Sequence, residues 1–188
     1  SKGLNTSAVF GFLLALREVL QKQKPTHIGV VFDTHEPTFR HKMFSAYKAN
    51  RDETPEDIRK AVPYIRKLIE AYRIPILECP GYEADDVIGT LAKKASALGF
   101  ETYMMTPDKD FAQLVSENVY MFKPARSGND SVRWGVEEIR QEFTVNDPLQ
   151  VIDILALMGD TADNIPGAPG VGPKTAMKLI SEFGSVEG

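Results

Sequence analysis

The chain has 188 residues, 22 Lys and Arg against 26 Asp and Glu, a formal charge of −4, one cysteine and 43% hydrophobic side chains, the composition of a soluble globular protein. A lone Cys79 makes no internal disulfide and fits a reducing, cytoplasmic setting. The longest apolar run, Ala8 to Leu16, is broken by Gly11 and falls short of the ~20 residues of a membrane span, so neither a span nor a secretory signal is expected. At face value the net charge also argues against a nucleic-acid partner, because phosphate binding shows as basic excess.

In chain order, Ser7 is placed to cap a helix over residues 8 to 23, with Val9, Phe12, Leu13, Leu16 and Leu20 on one face. Ile28 to Phe32 reads as a strand ending at Asp33. Residues 34 to 53 fit neither period. Thr54 as cap, Pro55 at the first helical position and Asp57 in the first turn open a helix to about Tyr72. Ile74 to Leu77 is the next strand, and a helix from about Glu83 to Leu98 stops at Gly99. Thr102 to Met105 and Val119 to Phe122 read as strands. Beyond a Ser/Gly/Asn loop near residues 127 to 131 the pattern turns helical: Val136 to Phe143, Pro148 to Met158, and Lys174 to Phe183. Strands alternating with helices imply an α/β fold, a largely parallel twisted sheet with helices on both faces, followed by a helical subdomain.

Charge is uneven along this pattern. Residues 1 to 80 hold 13 basic and 9 acidic side chains, whereas residues 81 to 188 hold 9 and 17. The acids sit where parallel sheets bind ligands, just past the carboxyl ends of strands: Asp33, then Glu83, Asp85 and Asp86, then Asp108 and Asp110. Asp160 and Asp163 follow in the loop Gly159 to Pro166. Carboxylates crowded together repel unless cations sit among them, and hard divalent ions with oxygen ligands, Mg²⁺ or Mn²⁺, suit such a set. Two such ions roughly 3.5 to 4 Å apart serve phosphodiester cleavage. Taken singly, each group has a plainer reading as a helix cap, a turn after Pro107 or a solvated loop.

Phe39-Arg40-His41-Lys42-Met43-Phe44 and Tyr47-Lys48-Ala49-Asn50-Arg51 interleave cations with rings, a combination suited to single-stranded nucleic acid. The alternative is an amphipathic surface helix striped by Phe39, Met43 and Tyr47. His41 is expected to make a surface or hydrogen-bonding contact, not to bind metal. Gly170-Val171-Gly172-Pro173-Lys174-Thr175 leads into a helix, where glycines let backbone N–H groups approach a phosphate and Lys174 adds charge. Together with its flanking helices it forms a helix-hairpin-helix pattern, which grips duplex backbone without reading sequence; a mere turn between helices is the alternative.

These segments, with Val31-Phe32-Asp33, Pro80-Gly81-Tyr82-Glu83-Ala84-Asp85-Asp86, Thr106-Pro107-Asp108-Lys109-Asp110 and Gly159-Asp160 through Gly167, resemble the 5′-nuclease (flap endonuclease) family over essentially the whole chain. The best match is the N-terminal 5′-3′ exonuclease domain of bacterial DNA polymerase I. The resemblance implies a PIN-like fold and a structure-specific enzyme that cleaves 5′ flaps and nicked DNA ends with two Mg²⁺ or Mn²⁺ ions, in primer removal and repair. It implies metal binding by Asp33, Glu83, Asp85, Asp86, Asp108, Asp110, Asp160 and Asp163, and a catalytic role for Lys48 and Arg51 at the scissile phosphate. It further implies guidance of the 5′ strand by Arg40 and Tyr47, and backbone contacts from Gly170, Gly172, Lys174 and Thr175, with a monovalent cation such as K⁺ at that hairpin. The expected partners are DNA with a 5′ flap, a nick or an RNA primer, and no membrane. The protein is expected to be a monomer within a longer polymerase chain.

The expected organisation is a nuclease core over residues 1 to 135, with a basic arch at about 34 to 54, and a DNA-binding helical subdomain over 136 to 188. Family members begin with an apolar strand ending in a metal-binding Asp and continue past the hairpin helices. The chain is therefore expected to be a fragment that lacks the first strand and is truncated at its end, and a DNA-binding fragment without catalysis is one alternative. A phosphatase resembling the haloacid dehalogenases is another. It shares Asp-x-Asp after a strand and Gly-Asp-x-x-Asp, but has Thr or Val where Ala112 stands and carries its first motif on its first strand. With the eight carboxylates of the metal set apart, 18 acids face 22 bases, so the net acidity belongs to the pocket and the scaffold around it is mildly basic.

Overall fold

A computed structural model describes residues 5–123 and 131–188, and residues 127 to 130 of the expected Ser/Gly/Asn loop lie outside the described residues. The chain divides into two compact units, Ser1–Thr38 with Asp52–Ala84 and Phe39–Arg51 with Asp85–Gly188.

In the first unit, helix α1 (Ser7–Glu18) continues as a π-wound turn, Val19–Gln23, closed by Lys24 in the left-handed region. Ser7 does not cap it. The helix begins at Ser7, and Asn5 Oδ1 accepts the Ser7 N–H at 3.0 Å. Whereas α1 starts one residue earlier than expected, helix α3 (Glu56–Ala71) starts one residue later than its turn chemistry suggests, with Pro55 extended at the cap position and Glu56 and Asp57 in the first turn. Their negative charge there complements the helix dipole. Strands β1 (Val30–Val31) and β2 (Ile76–Leu77) pair in parallel. Phe12, Leu16 and Leu20 recur every four residues and turn one face of α1 onto Ile65, Ile69, Ile74 and Ile76. Fully burying one such side chain, as at Ile69, stabilises the unit by about 1.5–3 kcal/mol.

The second unit contains helix α2 (Phe39–Met43), helix α4 (Ala84–Ala97, from Asp85 onward) and strands β3 (Thr102–Met105), β4 (Val119–Lys123) and β5 (Val132–Trp134). Helices α5 (Val136–Phe143), α6 (Val151–Met158) and α7 (Pro173–Phe183) complete it. β3 and β4 pair in parallel, and β5 adds to β4 antiparallel, with Met121 opposite Trp134. The class is α/β with late helices, and among the described residues the strands form one two-stranded and one three-stranded sheet with an antiparallel edge. Met104 and Met121 share a buried core with Ile139, Val151, Ile154 and Ile180, so α5, α6 and α7 pack around the same apolar centre as β3 and β4. No described helix is long and apolar enough to cross a membrane.

Candidate active site

Two short acidic turns and one basic segment converge in the second unit. After β3 the chain passes through Pro107 into a 3₁₀ turn, Lys109–Leu114, for which Asp108 is the cap: its Oδ1 accepts the Asp110 N–H at 3.0 Å. Thr106 is buried, and its hydroxyl accepts the Asp108 N–H at 3.1 Å. This chain of local bonds turns Asp110 inward. Its Oδ1 is buried and has no hydrogen-bond partner in the protein. Burial is the main force raising the Asp110 carboxyl above the usual carboxylate range; the neighbouring Asp108 adds to it, as do Asp160 and Asp163, while Lys109 opposes them.

Asp160 lies in a tight reversal after α6. Its Oδ1 accepts the N–H groups of Ala162 at 2.7 Å and Asp163 at 3.3 Å, and its backbone pairs with Ile165 in both directions. Two glycines make the reversal possible. Gly159 has φ +68°, and a Cβ there would lie 2.3 Å from the Gly167 nitrogen, while a Cβ on Gly167 would lie 2.4 Å from the Met158 carbonyl carbon. The Gly159-to-Gly167 motif is thus the folding requirement of the loop that carries Asp160 and Asp163.

The basic segment docks on this loop. Tyr47 donates its hydroxyl proton to Asp163 Oδ2 at 3.1 Å, Lys48 Nζ stands 3.8 Å from the same oxygen, and Arg51 donates to Asp163 Oδ1. Asn50 donates to the Thr161 carbonyl and Asn164 to the Ala46 carbonyl, each at 2.7 Å, and Arg51 Nε donates to the Ala162 carbonyl at 3.3 Å. Arg40 forms a two-pronged pair with Asp86 at 2.7 and 2.8 Å. Helix α2 stops at Met43, so Phe39, Met43 and Tyr47 do not form one exposed stripe. Tyr47 is buried, edge-on to His41 with Lys48 beside its ring, and in this arrangement its ring does not stack on a base. Phe39, Met43 and Phe44 are the exposed apolar residues of the segment.

Asp33 and Glu83 belong to the first unit, where Asp33 Oδ1 accepts the N–H of Ala84, the opening residue of α4, at 2.8 Å and Glu83 is buried. Asp85 and Asp86 occupy the first turn of α4. Among the described residues no three His, Cys, Asp or Glu side chains stand close enough to hold a metal ion between them. The hairpin differs from the docked segment: Gly170 takes φ +78°, Gly172 and Pro173 open α7, and Lys174 and Thr175 are exposed. Asn50, Asn164 and Thr106 are absent from the expected site. Their signal was their place inside the charged motifs, where an amide or hydroxyl beside Asp or Lys fixes the backbone.

Residues 1–144 match the family described as "5'-3' exonuclease, N-terminal resolvase-like domain", and residues 146–188 match "5'-3' exonuclease, C-terminal SAM fold". The chain belongs to the 5′-3′ exonuclease family. It is 44% identical over 187 residues to the 5′-3′ exonuclease of Aquifex aeolicus, covering all of this chain and 63% of that protein. It is also 44% identical over 186 residues to DNA polymerase I of Bacillus caldotenax, covering 99% of this chain but 21% of the polymerase. The chain thus spans about a fifth of the polymerases it matches. Among solved structures, the T5 D15 protein co-crystallised with metal ions superimposes with TM-score 0.78 at 24% identity, over 95% of this chain and 69% of that one. The catalytic core of Rad2 in complex with DNA substrate gives TM-score 0.65 at 21% identity, over all of this chain and 56% of that one. Both share the fold of this exonuclease family member.

Proposed function

We propose that the chain is the nuclease part of a metal-dependent 5′-3′ exonuclease and flap endonuclease that hydrolyses phosphodiester bonds at 5′ flaps and nicked DNA ends, in primer removal and repair. The observation that carries this reading is Asp110, with a buried oxygen lacking a protein donor and the charges of Asp108, Asp160 and Asp163 upon it. An anionic, all-oxygen donor set of this kind fits Mg²⁺ or Mn²⁺. Asp33, Glu83, Asp85, Asp86, Asp108, Asp110, Asp160 and Asp163 are the residues that would hold the ions. When bound, two such ions supply activation of water and stabilisation of the leaving oxygen in an in-line displacement.

The protein's own groups do the rest. Arg51 presents a guanidinium fork and Lys48 a point charge beside one carboxylate, and both suit the non-bridging oxygens of a scissile phosphate as its charge grows. Arg40 and Tyr47 help guide the 5′ strand, Tyr47 from its buried place beside Asp163. Gly170, Gly172, Lys174 and Thr175 form a backbone-gripping hairpin, with K⁺ as its monovalent ion. In functional terms residues 1 to 135 form the nuclease core and residues 136 to 188 the DNA-binding part. The proposed setting is a monomer acting in the cytoplasm within a longer polymerase chain, and the polymerase relatives, of which this chain spans about a fifth, support the last of these.

The test is a labelled 5′-flap substrate with Mg²⁺. Release of 5′ products that is lost in Asp108→Ala supports the reading, and cleavage indifferent to that substitution contradicts it. A second reading, a DNA-binding module without catalysis, is favoured by the lack of three metal-spaced acids among the described residues. It predicts that the same substrate is bound at any Mg²⁺ or Mn²⁺ concentration and never cut.

A further inference from the structure

The expected roles of Lys48 and Arg51 leave open what holds them in place. Lys48 sits in the left-handed region at φ 56°, which disfavours a non-glycine residue, and its own N–H donates to the Asp163 carbonyl at 2.9 Å. Asn164, facing it, is also left-handed at φ 58°, a conformation asparagine tolerates better than most residues. Two side-chain amides bracket this pair of turns in opposite directions. Asn50 of the basic segment donates to the Thr161 carbonyl, and Asn164 of the acidic loop donates back to the Ala46 carbonyl, each at 2.7 Å. Neither amide approaches the Asp163 carboxylate; both bind only backbone.

We propose that Asn50 and Asn164 are positioning residues, a reciprocal amide clamp that fixes the backbone of residues 46–51 to the loop 160–164 and so holds Lys48 and Arg51 at the acids. The clamp acts through geometry and not through charge, since its hydrogen bonds go to the Thr161 and Ala46 carbonyls and not to the Asp163 side chain. The ion pairs of Asp163 can therefore exchange for a phosphate while the segment stays seated. This inference rests on the reading of Lys48 and Arg51 as phosphate-binding cations.

Asn164→Gly removes the amide and retains the left-handed freedom, so it deletes the clamp without adding backbone strain; Asn50→Ala deletes the other half. Amide hydrogen exchange of the whole chain, followed at Lys48 and at Met104 and Met121 in the core, decides the structural claim. About tenfold faster exchange at Lys48 is expected in each variant, with Met104 and Met121 unchanged and the melting temperature nearly so. On the 5′-flap substrate the expected result is a kcat about tenfold lower at unchanged KM. Unchanged exchange at Lys48 overturns the clamp whether or not the chain cleaves, and so does faster exchange with undiminished kcat. If the unsubstituted chain cuts nothing, the nuclease reading falls, and exchange at Lys48 still decides the clamp.

Discussion

Two segments of the second unit carry the same sequence promise, cations set for a nucleic-acid backbone, and the structure treats them oppositely. At residues 46–51, Tyr47, Lys48 and Arg51 are all engaged by Asp163, and the backbone is fastened to the loop beside it. At the hairpin, Lys174 and Thr175 stand exposed on the first turn of α7, open to solvent. Under the proposed function the difference is one of task. A group that stabilises charge developing in a reaction must be held in place beforehand, as a preorganised donor. A group that only grips a backbone works from the surface, and its contribution fades with salt.

The largest effect that could break this contrast is expected at Arg51. Arg51→Ala should lower kcat on a 5′ flap by about a hundredfold, the range seen when one preorganised donor is removed, with a much smaller change in DNA affinity. Equal losses in rate and affinity would make Arg51 a plain phosphate contact like those of the hairpin. Next comes the loop that holds the docked segment. Gly159→Ala forces a Cβ to within 2.3 Å of the Gly167 nitrogen at φ +68°, and should destabilise the protein by about 3 kcal/mol. Thermal unfolding, expected roughly 10 °C lower for such a loss, measures it.

A smaller change should follow Tyr47→Phe, which deletes one hydrogen bond to Asp163 and leaves the buried ring in place. The loss is about 1 kcal/mol or less if the hydroxyl is structural, and denaturant titration reads it. The smallest is expected at the hairpin. Lys174→Ala should weaken duplex binding a few-fold and lower the salt slope of log K by ~1, with kcat unaffected. A fall in kcat would place Lys174 with the docked cations and erase the contrast.

Much of this was legible along the chain where the signal is local. Thr102 to Met105 and Val136 to Phe143 have the observed bounds, because an apolar run between turn residues and a helical stripe are each complete within their own segment. Helix α2 and strand β5 were not legible, being five and three residues long, too short to establish a period. The carboxylates of the second unit could be read from their places after strands and in the Gly159 loop, but the partner of each could not. Arg40 meets Asp86 across 46 positions and Tyr47 meets Asp163 across 116, and no local pattern encodes such pairings. For the same reason Tyr47 read as a ring for stacking and is a buried hydrogen-bond donor, while Asn50 and Asn164 stood inside the charged motifs without a role of their own. Charge order along a sequence locates the acids, but only tertiary structure tells which cations already answer them.

Whether the orphaned oxygen of Asp110 belongs to a cation is read out by Mn²⁺ binding followed by electron paramagnetic resonance. The unsubstituted chain is expected to bind Mn²⁺, and Asp110→Asn, which keeps the shape and removes the charge, to weaken binding by about tenfold or more, the order of one direct charged contact. The same variant should unfold at a higher temperature than the unsubstituted chain when no divalent ion is present, because it relieves a buried charge crowded by Asp108, Asp160 and Asp163. Equal Mn²⁺ affinity in the two proteins would contradict the account.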